Sequence, residues 1–136
     1  MGNPRNESGT KLEAELEDIL IKKNIQYKKQ TPGKHEIDFR IYQPDGVWYV
    51  ECTNQNSGGS VYEKLPHKQR KYYRLYKKEN ILKRYYHVIG ECIIPKSVII
   101  TMDEDAATYG YEYTLDKLEK FVSRLDGTYN YSPLGI

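Results

Sequence analysis

Two acidic residues thirteen positions apart, Asp38 and Glu51, sit in segments that read as strands: Ile37-Asp38-Phe39-Arg40-Ile41 and Val50-Glu51-Cys52-Thr53-Asn54-Gln55. Between them, Gln43-Pro44-Asp45-Gly46-Val47 has the chemistry of a turn, with Pro to fix φ and Gly to accept a positive φ. The strands are therefore expected to pair as a hairpin. Alternation sets His35, Ile37, Phe39 and Ile41 on one face and Glu36, Asp38, Arg40 and Tyr42 on the other. In the second strand, Trp48, Val50 and Cys52 oppose Val47, Tyr49, Glu51, Thr53 and Gln55. Both carboxylates thus turn away from the apolar rows and can share a side. An Asp oxygen, a Glu oxygen and a strand carbonyl converging there suit Mg²⁺, which takes a few carboxylates together with waters and phosphate oxygens. That is the chemistry of phosphodiester hydrolysis. The plainer reading is a pair of acids on the wet face of a sheet, although strands disfavour Asp.

Charge is distributed unevenly along the chain. The net charge is only +2, yet residues 61–88 hold nine Lys and Arg against two Glu, a balance of +7. Residues 101–136 hold seven acids against three cations, a balance of −4. Lys68, Arg70, Lys71, Arg74, Lys77 and Lys78 alternate with Tyr72, Tyr73 and Tyr76. Cations grip phosphates and aromatic rings offer stacking, so this stretch is a candidate nucleic-acid surface. The alternative is a solvated amphipathic helix whose Tyr face the core.

Asp38, the segment Glu51-Cys52-Thr53 and an upstream helix carrying Glu13 together resemble the PD-(D/E)XK nuclease superfamily, which contains many restriction endonucleases and Holliday-junction resolvases. The resemblance covers about residues 8–70. Gln55 continues the Glu51, Thr53 face, and Gly58-Gly59-Ser60-Val61-Tyr62-Glu63-Lys64-Leu65 is similar to the segment that follows the catalytic strand in some members. Two departures stand out. Ile37 occupies a position often held by Pro, and Thr53 stands where the family has its catalytic Lys. The resemblance implies a restriction-endonuclease-like α/β core, a central mixed β-sheet flanked by helices. It also implies that Asp38, Glu51 and the Cys52 carbonyl, with Glu13, hold Mg²⁺, for which Mn²⁺ can substitute. Lys64, in the first turn of the next helix, is the candidate to replace the missing Lys, with Lys34 weaker, and Gln55 could orient the attacking water. Glu13 has a second reading, because Thr10-Lys11-Leu12-Glu13 has the form of a capping box. Glu17, one turn later, is the reserve.

The elements that position these residues follow from periodicity. Residues 1–9 read as a flexible N-terminus, and Leu12, Leu16, Ile19 and Leu20 place a first helix over about 10–23. A short strand is expected within 25–30, and Thr31-Pro32-Gly33 breaks it before a strand from about His35. Ser60-x-x-Glu63 has the form of a capping box for a helix from Val61 that kinks or restarts at Pro66 and ends near Glu79. Strands are expected over 85–89 and, more clearly, 97–102. A last helix with Thr114 as N-cap buries Leu118, Phe121, Val122 and Leu125 and stops at Gly127. This gives a single domain over 10–127 and a tail over 128–136.

Composition bounds the remaining classes. At 136 residues, 38% hydrophobic and 29% charged, with fourteen Tyr, the chain is expected to fold as one domain with a modest core. No apolar run approaches a membrane span, and the N-terminus lacks the apolar core of a signal peptide, so a soluble, intracellular protein is expected. Cys52 and Cys92 are too few and too far apart for a zinc site, and Cys52 reads as a small core residue. His35, His67 and His87 have no partner at metal-ligand spacing. The leading expectation is a Mg²⁺-dependent endodeoxyribonuclease acting on duplex or branched DNA, restriction-like or junction-resolving, as a homodimer with two equivalent sites. A catalytically inactive DNA-binding protein on the same scaffold is the alternative, and an RNA-processing nuclease the third.

Overall fold

The hairpin forms around Gly46, whose φ of 122° no other residue adopts without strain. A computed structural model describes residues 4–31, 37–53, 61–76, 84–90 and 94–127, with the backbone alone for 4–10, 61–64, 75–76 and 84. The element order is α1 (Pro4–Lys22), β1 (Tyr27–Lys29), β2 (Phe39–Gln43), β3 (Gly46–Thr53), α2 (Val61–Tyr76), β4 (Arg84–Ile89), α3 (Lys96–Tyr109), β5 (Glu112–Lys117) and α4 (Leu118–Ser123). The strands form one mixed sheet in the order β1-β2-β3-β4-β5. The first three run antiparallel, with Phe39 opposite Val50 and Gln43 opposite Gly46. The last two run parallel to β3, with Glu51 beside His87 and His87 beside Leu115.

Helices cover both faces. On one, Leu12, Leu16 and Leu20 of α1 and Phe121 of α4 pack on Phe39, Ile41, Trp48, Val50, Cys52, Tyr86 and Val88. The Trp48 ring stacks on Tyr86 at 4.4 Å. On the other face, Tyr72 of α2 packs on Tyr49 and Tyr85, while Leu65 of α2 meets Ile89 and the α3 residues Val98 and Met102. The alternation read from the sequence for β3 therefore holds. That of the preceding segment does not, because Ile37 packs with Tyr49 and Tyr85, on the side opposite Phe39 and Ile41. The ladder begins at Phe39, so residues 37 and 38 are not bound to its period.

Several boundaries depart from the sequence reading. The first helix opens at Pro4 rather than Thr10, since Pro at the first helical position loses no hydrogen bond. Thr10 is then interior, and Glu13 is not the partner in a capping box. Asn24 closes α1 in the left-handed conformation (φ 57°), with Asn24 N–H donating to the Ile21 carbonyl and Ile25 N–H to that of Leu20. The second helix continues through Pro66 without restarting, because a Pro this near the helix start interrupts few bonds. The largest error concerns 97–102, which belong to α3 and not to a strand. Two adjacent parallel strands need a crossover, and the β-branched run Val98-Ile99-Ile100-Thr101 yields to that requirement. Thr114 likewise lies in β5, and the terminal helix begins only at Leu118.

Candidate active site

Asp38 leaves the end of β2 just outside the ladder, facing the last residues of β3. Its side-chain Oδ2 accepts the Cys52 N–H at 2.8 Å, and its own N–H donates to Glu51 Oε1 at 3.2 Å. The two carboxylates are thereby clasped by each other's strands. Both are buried, Asp38 at 8% exposure and Glu51 at 3%. The Thr53 carbonyl accepts the Gly90 N–H beyond β4. Strand alternation then turns the Cys52 carbonyl to the opposite edge, the one Asp38 occupies. The Cys52 side chain goes the other way, into the core, where burial raises its thiol pKa well above the ordinary value.

Helix α2 crosses this end of the sheet and delivers Lys68. Its Nζ lies 3.1 Å from Glu51 Oε2 and donates to Thr53 Oγ1, also at 3.1 Å. Thr53 carries no charge of its own. It anchors an ammonium that arrives from another element. Helix α1 brings Glu13 beside Asp38. Its neighbour one turn on, Glu17, is engaged elsewhere, accepting from Tyr27 Oη at 2.7 Å and Lys29 Nζ at 3.4 Å.

The electrostatics follow from crowding acids in a dry place. Burial, then the Asp38 charge, push Glu51 up to about 8 against the opposing pull of Lys68. Burial, then Asp38, push Glu13 up to about 7, with Lys29 and Lys68 opposing. Under the same helix, His87 is completely buried beside Glu51, and neither ring nitrogen has a hydrogen-bond partner among the described residues. Burial, and then Lys68, push it down to about 3, so it stays neutral.

The structure therefore joins Glu13, Asp38, Glu51, the Cys52 backbone and Thr53 in one cluster. Lys64 lies in the first turn of α2, but its side chain is outside the described residues, as are Gln55, Lys34, Lys77 and Lys78. Arg70, expected to hold phosphate, instead pairs with Asp105 of α3 at 2.6 Å. Lys71 lies 5.1 Å from the Tyr72 ring centroid, and Arg74 is exposed. The sequence reading placed Lys68 among surface phosphate contacts and assigned His87 no part. The missed signal was helical spacing: Lys68 follows Lys64 by one turn and precedes Tyr72 by another, so it borders the face that meets the sheet.

Among the described residues, no group of three or more His, Cys, Asp or Glu is arranged to hold a metal ion. Mg²⁺, however, needs only one or two carboxylates, completing its shell with water and substrate oxygens. The donor chemistry of Asp38 and Glu51 meets that requirement, and their crowding would be relieved by a divalent cation. No described helix is long and apolar enough to cross a membrane. Compared with known proteins, the chain matches no family model, no curated protein and no solved structure.

Proposed function

We propose that this protein is a Mg²⁺-dependent nuclease, hydrolysing phosphodiester bonds of DNA on a restriction-endonuclease-like core. The observation that carries the reading is the meeting of Lys68 with Glu51 and Thr53 beside Asp38. It supplies, from a helix, the cation missing from the strand position at which the nuclease motif has its Lys. The mixed sheet flanked by helices, with the acidic hairpin at its centre, is consistent with such a core.

Each residue has a role that follows from its contacts. Asp38 and Glu51, with the Cys52 carbonyl, would hold the ion, and Glu13 sits where it can steady Asp38. When bound, Mg²⁺ supplies Lewis acidity that makes a water nucleophilic near neutral pH and offsets charge on the phosphate. Lys68 keeps Glu51 in place and brings a positive charge to the reacting phosphate. Thr53 fixes the Lys68 rotamer, so the ammonium is already oriented when substrate arrives. A small domain with one such site would cut both strands as a homodimer.

The test is incubation of the protein with supercoiled plasmid at low salt, in Mg²⁺ or Mn²⁺ against EDTA, with Asp38→Ala and Lys68→Ala alongside. Metal-dependent nicking or linearisation, lost in both variants, is the expected result. Plasmid left intact on every substrate form, including branched DNA and RNA, would sink the proposal.

A further inference from the structure

Away from the sheet, α2 presents a stripe of cations. His67, Arg70, Lys71 and Arg74 recur at i, i+3, i+4 and i+7 and line a surface depression of ≈ 430 Å³. Leu65, Gln69 and Tyr72 point to the sheet, so this stripe is centred on the solvent side. One flank of the helix leads through Lys68 to Glu51 and Thr53. The opposite flank carries Tyr73.

Tyr73 belongs to a row of three rings. Its centroid lies 5.2 Å from that of Tyr109 and 5.0 Å from that of Tyr111. The row is built rigidly. Gly110 caps α3 in the left-handed conformation (φ 75°), and Gly110 and Tyr111 both donate their N–H to the Ala106 carbonyl, so the chain reverses between the two outer tyrosines. Tyr73 Oη donates to the Tyr109 carbonyl at 3.0 Å, and the two-point contact of Arg70 with Asp105 ties α2 to α3. Tyr111 is buried, whereas Tyr109 is 45% exposed.

Packing accounts for Tyr73 and Tyr111 but leaves the Tyr109 ring open to solvent next to the Arg70–Asp105 pair, with Lys71 and Arg74 farther round the same helix. A duplex would use the cations and leave the ring idle, since its bases are stacked on one another. An acidic peptide would likewise use only the charges. An unpaired nucleotide uses both, its base on the ring and its phosphates on the cations, at a cost that does not depend on sequence. Crossing α2 from Lys68 to the tyrosine row spans the ~10–12 Å diameter of a helix. That is a few nucleotides of an unpaired backbone.

We propose that the α2–α3 ridge binds an unpaired stretch of nucleic acid, with Tyr109 stacking on a base and Lys71 and Arg74 holding the adjoining phosphates. The substrate is then one with a single-stranded segment a few nucleotides from the bond at the Glu51–Lys68 site. That distance rests on the nuclease reading; the binding itself does not.

Binding is measured by fluorescence anisotropy with the full chain in EDTA, so that cleavage plays no part. The probes are a labelled single-stranded pyrimidine oligonucleotide in deoxy and ribo forms, the same strand with abasic positions, a blunt duplex of equal length, and polyglutamate as an acidic competitor. The single strand should bind about tenfold tighter than its abasic form. Tyr109→Ala should remove about that factor and leave abasic and duplex binding unchanged, while Tyr109→Trp retains it. Dependence on Tyr109 with either sugar supports the proposal. Lys71→Glu and Arg74→Glu should weaken single strand and duplex alike and flatten the salt dependence. Unchanged single-strand affinity in Tyr109→Ala, or equal displacement by polyglutamate, would overturn it. Absence of metal-dependent cleavage on plasmid, branched DNA and RNA, with base-dependent binding intact, would instead remove only the nuclease reading.

Discussion

Removing a proton from Glu51 in the absence of a divalent cation should loosen the fold, and the size of the effect can be worked from its surroundings. Glu51 is buried beside Asp38, and its pKa rises from 4.5 to about 8 in the folded state. The folded protein therefore binds more protons than the unfolded chain between those values. Stability from this group is complete below the unfolded pKa and is lost as pH rises through about 8. Between about pH 6.5 and 8.5 the loss is roughly 2 kcal/mol. For a chain of this size that lowers Tm by about 8 °C. Glu13, raised to about 7 but only half-buried, adds a smaller decline of the same sign. Below about pH 6.5 the trend is opposed by His87: its neutral ring, pushed down to about 3, gives stability that is lost as pH falls from 6.5. The Glu51 and His87 slopes offset each other between about pH 4.5 and 6.5, so a plateau is expected there, with the decline setting in above about pH 6.5. The assay is thermal unfolding in EDTA across pH 5 to 8.5, for the wild type and for Glu51→Gln, which keeps the shape and removes the titration. Each protein's own Tm at pH 6.5 is its reference. Most of the alkaline decline should vanish in the variant, and Mg²⁺ should raise the wild-type Tm more at pH 8.5 than at 6.5, since cation and protons compete for the same oxygens. A flat wild-type profile from pH 6.5 to 8.5, or an equal slope in Glu51→Gln, would refute the picture of a dry acidic cluster.

Three further outcomes are expected. Lys68→Ala should lower the cleavage rate by about 10²–10³-fold, and adding Thr53→Lys should recover at least part of it, because an ammonium on β3 reaches the same Glu51 oxygens; steady-state cleavage of a labelled oligonucleotide reads both. Leu16→Ala, which empties a fully buried position between α1 and the sheet, should cost about 3 kcal/mol in urea unfolding. Gly46→Ala should cost about 1–3 kcal/mol without any steric clash, since nothing lies within 4 Å of an added Cβ and the cost is the φ of 122° alone.

How much of this was legible beforehand differs from element to element. The hairpin was readable because its cause is local: Pro44 and Gly46 make the turn, and the two-residue period of Trp48, Val50 and Cys52 against Tyr49 and Glu51 sets which side chains share a face. The stripe of Leu12, Leu16 and Leu20 was equally plain, being one face of one helix. In contrast, Ser97-Val98-Ile99-Ile100-Thr101-Met102 carries strand chemistry and folds as helix, because the crossover from β4 to β5 and the burial of Val98 and Met102 against Leu65 outweigh a weak intrinsic preference.

The candidate site divides along the same line. Sequence by itself determined that Asp38 and Glu51 would come near each other, since the tight turn sets Phe39 opposite Val50, although Asp38 itself lies just outside the ladder. It also determined that cations would crowd α2. Only the tertiary structure decided that Lys68 reaches the acids. The angle at which α2 crosses the sheet, set by Leu65 on Ile89 and Tyr72 on Tyr85, is what brings Lys68 to Glu51 and Thr53. The same long-range packing buries His87 and lines up Tyr73, Tyr109 and Tyr111. A local pattern fixes which face a side chain occupies, but the partner across an interface depends on how whole elements pack, and that is a property of the assembled core.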